Sequence, residues 1–144
     1  TEAEWEKAAR GTDGRIWSWG NRLRDTFDLP VQRANIAENR MDNIESVDSY
    51  SSGESPYGAR NIIGNVWEWT QDWYKFTYYR ERPDPDIEPL GPPEEDSTGQ
   101  RVIRGGAYLT PAIGARTADR NAVTSQAAFD IGFRCALSDI PLQE

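Results

Sequence analysis

The chain has 144 residues, a usual length for one domain with a buried core. Sixteen basic and 24 acidic residues give a net charge of −8, which disfavours nucleic acid and anionic membranes as partners, because both are bound through Lys and Arg. The single cysteine, Cys135, excludes an internal disulfide framework, and the absence of histidine excludes histidine metal ligands and histidine-dependent triads. No apolar run approaches the roughly 20 residues of a membrane span, and no signal peptide is visible.

The first ten residues, TEAEWEKAAR, predict a helix. Thr1 and Glu4 have the spacing of a capping box, Ala, Glu and Lys favour helix, and Gly11 is a suitable stop. The residues expected on one face of this helix are Trp5, Ala8 and Ala9.

Four later segments predict short strands, because their apolar residues alternate with polar ones or are β-branched. These strands are expected within residues 15–20, 65–74, 101–109 and 130–137. In the last of them Cys135 is expected to be a small buried hydrophobic side chain.

Two segments predict loops. Residues 21–60 are rich in Asn, Asp, Ser and Gly and predict an ordered loop with short pieces of strand. Residues 81–100 contain five prolines and seven acids and predict a solvated loop. The mixture of helix, short strands and irregular chain predicts an α+β fold.

Seven stretches occur in the order found in the formylglycine-generating-enzyme (sulfatase-modifying factor) family, which the chain therefore resembles. They are TEAEWEKAARG, WSWGN, ANI, YGARNIIGNVWEWTQDWY, RVIRGGAY, RTADRN and IGFRCA. The resemblance implies a variant of the C-type lectin fold and a single domain over residues 1–144. Domains of the family begin upstream of the TEAEWE stretch, so we expect a C-terminal portion or a compact version of the domain.

The resemblance implies a calcium site in the loop NIIGNVWE, residues 61–68. Asn61 and Glu68 would offer side-chain oxygens, and Gly64 and Val66 would offer backbone carbonyls. This mixture suits Ca²⁺, which takes about six to eight oxygen ligands, and glycine permits the sharp turn. In the alternative interpretation Glu68 only pairs with an arginine and hydrogen bonds hold the loop.

The tryptophans beside this loop, Trp67 and Trp69, would then belong to the core. The resemblance also implies a second calcium site, although the intervening segment is shorter here. The alternative is that its polar members are ordinary turn residues. The implied ligands are the side chains of Asn35 and Asp42 and the carbonyls of Ile36 and Ile44.

Enzymes of this family oxidise a substrate cysteine to formylglycine with copper held by two cysteines that follow an R-G-G-S-Y/W segment. Here the segment reads RGGAYLTPAIGAR, with Ala107 in place of the serine and Thr110 in place of the first cysteine. Threonine has no soft thiolate for Cu(I), so neither bound copper nor oxidase activity is expected. The related ergothioneine-type sulfoxide synthases use iron-binding histidines, which this chain lacks.

The resemblance extends to variable proteins of diversity-generating retroelements, which use this fold to display a hypervariable C-terminal surface. Substitution of adenines in Asn codons cannot produce Lys, Glu, Gln, Met or Trp, and from Ala107 to Asp130 only Gln126 belongs to that set. The leading hypothesis is a non-catalytic, calcium-stabilised module whose surface binds an unknown protein or surface ligand, with Tyr108 and Phe129 as anchors. The expected ligand-contacting residues are Tyr108, Leu109, Thr110, Ala112, Ile113, Thr117, Asp119, Asn121, Ala127, Ala128, Phe129 and Asp130.

Other interpretations stay open. Residues 107–130 are few enough that a fixed, degenerate enzyme-like loop would show the same composition. The chain could also belong to a formylglycine-generating-type oxidase or a sulfoxide synthase whose catalytic pieces lie elsewhere, or be a structural or regulatory domain fused to a kinase or protease. An upstream domain of the same polypeptide is a further candidate partner.

Overall fold

A computed structural model of the chain describes residues 1–24, 32–39, 42–81, 90–124 and 128–137. Its helices and strands are α1 (Glu2–Arg10), β1 (Trp67–Trp73), α2 (Tyr78–Glu81), β2 (Arg101–Arg104), β3 (Asn121–Val123) and β4 (Ile131–Gly132). Single turns of 3₁₀ helix lie at Ala37–Asn39, Ser51–Gly53, Glu94–Asp96 and Ala112–Gly114. This mixture of few helices, short strands and long irregular segments is the predicted α+β architecture.

Helix α1 begins and ends where the sequence predicts. The Thr1 hydroxyl accepts a hydrogen bond from the Glu4 backbone N–H at 3.3 Å, and the Glu4 carboxylate accepts one from the terminal amine of Thr1 at 2.6 Å. Gly11 closes the helix with φ of 72°, a conformation that favours glycine. Of the predicted apolar face, Trp5 and Ala9 are buried and Ala8 packs against the core.

The four strands form one sheet in the order β3-β2-β1-β4. Strand β2 is antiparallel to both of its neighbours, whereas β4 runs parallel to β1. The predicted strand over 65–74 is present as β1, but the expectation that Trp67 and Trp69 belong to the core is wrong. Both are only half-buried, while Glu68 and Asp72 are buried in the same strand. The carboxylates can turn inward because the interior supplies donors for them, among them the Glu2 N–H, which donates to Asp72.

The other predicted strands are shorter than expected. Residues 15–20 form a tight turn in which the N–H groups and carbonyls of Trp17 and Gly20 bond reciprocally at 3.0 Å. Strand β2 ends at Arg104, because Gly105 and Gly106 follow with φ of 94° and 78°. The described parts of the predicted loop over 21–60 include 3₁₀ turns and an isolated bridge between Asn35 and Gly64.

The C-terminal strand prediction is also too long. Strand β4 has two residues, and residues 133–137 after it are exposed, including Phe133 and Leu137. Cys135 is exposed with them, so the prediction that it is a small buried side chain is wrong. Helix α2 and strand β3 are too short to leave a periodic apolar pattern, and the sequence did not predict them.

The hydrophobic core lies between helix α1, the 15–20 turn and the loop that follows β2. Its members are small aliphatic side chains packed around two tryptophans, which compensates for the low apolar content of the chain. No helix in the described ranges is long and apolar enough to cross a membrane. The buried core residues are Trp5, Ala9, Trp17, Ala34, Ile36, Ile62, Ile63, Ala112 and Ala115.

Candidate functional site

The loop that follows β2, residues 107–117, is held from beneath by distant segments. The Trp17 indole N–H donates to the Ala112 carbonyl at 2.9 Å, and the Ala112 N–H donates to both carboxylate oxygens of Glu38 at 3.0 Å. The Ala37 N–H donates to the Thr110 carbonyl at 3.1 Å. The backbone of this loop is therefore fixed near its middle by residues up to 95 positions away in sequence.

Buried Arg104 fixes the far end of the same loop. Its side chain has no exposed surface, and its Nη2 donates to the Thr117 carbonyl at 2.8 Å and to Glu6 at 2.7 Å. Its Nη1 donates to the Asp119 carbonyl, and its guanidinium lies 5.0 Å from the centre of the Trp5 ring. A charged side chain in the interior thus joins helix α1 to the loop, with its charge compensated by a carboxylate.

On its outer side this loop leaves large apolar side chains in solvent. Leu109 is 61% exposed and Ile113 is 67% exposed, and Phe129, before β4, is 76% exposed. Exposed apolar side chains occur elsewhere too, Phe76 and Phe133 among them, so what distinguishes this loop is the fixed backbone beneath Leu109 and Ile113.

The other predicted contact residues divide into three groups. Ala112 and Thr117 are each 1% exposed, so the prediction that they contact a ligand is wrong. Ala112 packs in the core, and the Thr117 hydroxyl donates to carbonyls of the 15–20 turn. Ala127 lies outside the described residues. The remaining predicted contacts are half-buried (Tyr108, Thr110, Asp119 and Asp130) or exposed (Asn121 and Ala128).

The two segments of the surface are joined through the start of β1. The Tyr108 N–H donates to the Asn65 carbonyl at 3.1 Å, and the Trp67 N–H donates to the Asp130 carbonyl at 2.8 Å. Only Val66 lies between Asn65 and Trp67 in the chain. Both segments of the proposed surface are therefore fixed to one short stretch of chain at the start of β1.

The loop over residues 61–68 surrounds a cavity of about 440 Å³ that Asn61, Val66 and Glu68 line together. The Glu68 carboxylate accepts hydrogen bonds from Arg134 Nη2 at 2.6 Å, Arg134 Nε at 2.7 Å and the Trp5 indole at 2.7 Å. The pairing of Glu68 with an arginine, which the alternative interpretation expected, is present.

The amide oxygen of Asn61 is the group in this loop that still lacks a partner. The Asn61 amide N–H groups donate to the carbonyls of residues 46, 47 and 49, whereas its Oδ1 is buried and accepts no hydrogen bond. Gly64 has φ of 78°, and a Cβ there would lie 2.2 Å from the Asn35 carbonyl oxygen, so only glycine fits.

This donor set fits the chemistry of a calcium ion. No group of three or more cysteine, aspartate or glutamate side chains in the described ranges could hold a metal, so a cation would depend on amide and backbone oxygens beside Glu68. The unpartnered Asn61 oxygen would be such a ligand, and Glu68 lines the same cavity. A cation there would share Glu68 with the Arg134 guanidinium.

The second predicted site is less compact. The Asn35 amide donates to the Asn43 carbonyl at 2.8 Å and to Asn65 Oδ1 at 3.1 Å, and its own Oδ1 is buried without a donor. Ile36 is buried beside it, whereas Asp42 and Ile44 are exposed. The hydrogen bond to Asn43 does bring Asn35 next to the 42–44 segment.

Thr110, at the position of the family's first copper cysteine, has a structural role. Its hydroxyl accepts a hydrogen bond from the Ala107 N–H at 2.9 Å, and its N–H donates to the Ala107 carbonyl at 2.8 Å. The side chain that replaces a thiol therefore closes a tight turn.

Sequence reasoning missed the residues that support the surface from within. These are Trp17, Glu38, Asn65 and Arg104, each of which bonds to a partner more than ten positions away. The sequence could have indicated that Arg104 is buried, because in VIRGG the arginine lies between apolar strand residues and a Gly-Gly pair.

Comparison with known proteins agrees with this architecture. The sequence pattern of the family described as "Sulfatase-modifying factor enzyme 1-like domain" matches residues 1–139. The formylglycine-generating enzyme of Streptomyces coelicolor is 37% identical over 94% of this chain and 45% of its own length. The inactive C-alpha-formylglycine-generating enzyme 2 of Mus musculus is 32% identical over 96% of this chain and 42% of its own.

Among solved structures, Treponema denticola variable protein 1 superposes with a TM-score of 0.70 at 29% identity, covering 92% of this chain and 44% of that one. The chain spans less than half the length of each of these three proteins. The resemblance and the formylglycine-generating-enzyme-like, C-type-lectin-like fold class predicted from sequence are confirmed. The chain belongs to the sulfatase-modifying factor enzyme 1-like domain family.

Proposed function

We propose that this chain is a non-catalytic ligand-binding module that presents a diversified surface on residues 107–130. The observation that carries the proposal is the contrast within the loop after β2. Ala112 is bonded on both its N–H and its carbonyl and is buried, whereas the neighbouring Leu109 and Ile113 are exposed. A fixed backbone with replaceable outer side chains is what a recognition surface needs, since the framework does not change when the ligand does.

Two further observations support a binding role over a catalytic one. Thr110 stands where the family's copper enzymes have a cysteine, and its hydroxyl is already used within the turn. Relatives of the chain include proteins named as inactive formylglycine-generating enzymes as well as active ones, and a protein named as a variable protein shares the fold. The ligand of this surface would be a protein or another surface component, anchored on the exposed apolar side chains.

Calcium belongs to the same proposal as a structural ion. Bound beside Asn61 and Glu68, it would hold the loop that leads into β1. Asn65 and Trp67 in that stretch anchor both segments of the surface. The ion would order the backbone of the 61–68 loop. Its ligands would include the unpartnered amide oxygen of Asn61 and the Glu68 carboxylate, which it would share with Arg134.

The experiment that tests diversification is to sequence the DNA around the coding region. We expect a reverse transcriptase gene nearby and a second, template copy of roughly residues 107–134. In that copy the codons for Leu109, Ile113 and Phe129 should be Asn codons, or differ from the present ones only at adenines. A locus without such a copy would contradict diversification and leave a fixed binding loop.

A further inference from the structure

A second cavity lies beside helix α1 and shares no residue with the 61–68 loop. Ala118 and Arg120 line it from within residues 107–130, but the exposed Leu109, Ile113 and Phe129 do not. Its volume of about 650 Å³ falls in the range of roughly 300–1,000 Å³ that is usual for pockets that hold small molecules. The side chains that matter to its chemistry are Glu6, Lys7, Arg10, Tyr79, Ala118 and Arg120.

The wall of this cavity is cationic although the whole chain is acidic. Lys7, Arg10 and Arg120 contribute three positive charges, of which Arg10 pairs with Glu6 and Arg120 pairs with Glu2. The Glu6 carboxylate is already bound on both oxygens, by Arg10 Nη1 at 3.1 Å and by Arg104 Nη2 at 2.7 Å. The acid in the wall therefore already has its partners, and the positive charge left without a described carboxylate is that of Lys7.

Lys7 is the cation of this cavity that has no anionic partner in the described parts of the chain. The chain has two lysines, and Lys75 pairs with Glu81 at 2.9 Å. The Lys7 ammonium instead lies 5.8 Å from the centre of the Tyr57 ring, a weak contact for an exposed cation. A ligand anion would supply the missing partner.

Arg120 is held in place and keeps donors free. Its Nε and Nη2 donate to Glu2 at 2.6 and 2.9 Å, and its Nη1 donates to the Lys75 carbonyl at 3.4 Å. Two of its five N–H donors remain for a ligand. The guanidinium lies 4.8 Å from the centre of the Tyr79 ring, and burial raises the pKa of Tyr79, so this phenol stays neutral and adds no negative charge.

We propose that this cavity binds a small organic carboxylate with an apolar body. The carboxylate would lie between the Lys7 ammonium and the Arg120 guanidinium, whose planar donors match its geometry. The apolar body would pack on the Tyr79 ring, Ala3 and Ala118, a part of the wall that an inorganic anion would leave empty. The site uses none of the exposed side chains Leu109, Ile113 and Phe129 that carry the proposed recognition surface.

The test is a titration of the ¹⁵N-labelled chain, followed by its amide signals in NMR spectra at constant ionic strength. The probes are benzoate, acetate, which lacks the apolar body, and inorganic phosphate. We expect benzoate to cause saturable shifts confined to residues 3–14, 79 and 118–120, and the other two to bind more weakly. Lys7→Gln should weaken benzoate binding about fivefold, the effect of one exposed ion pair, while the matched control Lys75→Gln should leave it unchanged.

A variant that fills the cavity tests benzoate binding without changing any charge. Ala118 is exposed, so Ala118→Leu should fold, which the same spectra report, and should remove the saturable benzoate shifts. The proposal is overturned if benzoate gives no saturable shift, or if phosphate binds as tightly as benzoate. It is also overturned if Lys7→Gln and Lys75→Gln weaken benzoate binding equally. Equal effects would mean that the net charge of the chain attracts the anion and that Lys7 has no specific contact with it. None of these results bears on recognition by Leu109, Ile113 and Phe129, which do not line this cavity.

Discussion

Arg104 shows how this chain can be stable with few apolar residues. It is fully buried, yet its donors reach Glu6 and the carbonyls of Thr117 and Asp119, and Glu2 lies 3.6 Å from its Nε. Removing one partner of a buried ion pair typically costs about 3–5 kcal/mol, because the other charge stays uncompensated. The Arg104 side chain therefore connects helix α1 to the loop after β2, and we expect any substitution of it to destabilise the fold.

Thr110 carries the first residue-scale prediction, which is that the chain has no copper-dependent oxidase activity. Its hydroxyl offers no thiolate, and the cysteine of the chain, Cys135, is exposed beyond β4. The chain is incubated with copper, oxygen and a cysteine-containing sulfatase peptide, with an active formylglycine-generating enzyme as positive control. We expect mass spectrometry to find only unmodified peptide. Aldehyde product above a blank without protein would refute the prediction.

The tryptophans carry a second residue-scale prediction. Trp5 is 6% exposed, packs in the core and donates to Glu68, whereas Trp67 is half-buried on β1. Trp5→Ala should cost about 3–5 kcal/mol, a large part of a typical domain's stability, and Trp67→Ala clearly less. Urea unfolding followed by circular dichroism measures both. Equal losses would mean that Trp67 belongs to the core after all.

At the scale of elements, β1 shows what an alternating pattern leaves undecided. Alternation indicates two faces of a strand but does not say which face is buried. Aromatic residues usually mark the buried face, yet here Glu68 and Asp72 take it. Their partners, Arg134, Trp5 and the Glu2 N–H, come from other segments of the chain and cannot be seen in the strand itself.

The calcium loop carries the prediction at this scale. A ligand at 100 times its dissociation constant stabilises by about 2.7 kcal/mol, which is roughly 5–10 °C in melting temperature for a domain of this size. We expect calcium to raise the melting temperature relative to EDTA, and Glu68→Gln to reduce that increment because a ligand charge is lost. Asp13→Asn is the matched control, since Asp13 also accepts from an arginine Nε and Nη2 but does not line the cavity at this loop.

Glu68→Gln also removes an ion pair, so the quantity to compare is the calcium-dependent increment and not the melting temperature itself. The absence of any increment in the unmodified chain would mean that hydrogen bonds and Arg134 alone hold the loop. An increment that Glu68→Gln leaves intact would place the ion elsewhere.

Local signals predicted the elements whose determinants lie within a few residues of each other. Helix α1 is the example, since its cap, its stop and its buried face all fall within residues 1–11. Residues 15–20 were predicted as a strand because their apolar and polar residues alternate. Alternation alone does not show that Trp17 and Gly20 bond to each other in a turn, or that the Trp17 indole donates to the Ala112 carbonyl. The exposed positions of the surface, Leu109 and Ile113, were predicted correctly because residues without a periodic apolar pattern are seldom core.

The buried members of the same segment were not predicted, for a physical reason. Ala112 and Thr117 are small, and small residues fit equally well at a surface or in a tight core. What decides their position is the Trp17 indole, Glu38 and the Ile16 carbonyl, which come from early parts of the chain. The composition of the segment therefore indicated that it tolerates substitutions, but it did not show which positions are exposed and which are buried.

At the scale of the molecule, supporting residues and presented residues are separate. The core and the buried ion pairs join α1, β1 and β2 beneath the loop that follows β2. The presented side chains, Leu109, Ile113 and Phe129, take little part in that support, since each is more than half exposed. This separation would let the surface vary while the fold persists, which is the central claim of the proposed function.

A deep mutational scan of residues 107–130, scored for folding by display with a conformation-sensitive reporter, tests that claim most directly. Substitutions at Leu109, Ile113 and Phe129 should change stability by no more than about 0.5–1 kcal/mol, as is usual for solvent-exposed side chains. Ala112 and Thr117, which lie in the same segment but are buried, should be intolerant. If Leu109 and Ile113 proved as intolerant as Ala112, they would be part of the support, and the proposal of a variable recognition surface would be wrong although the fold is correct.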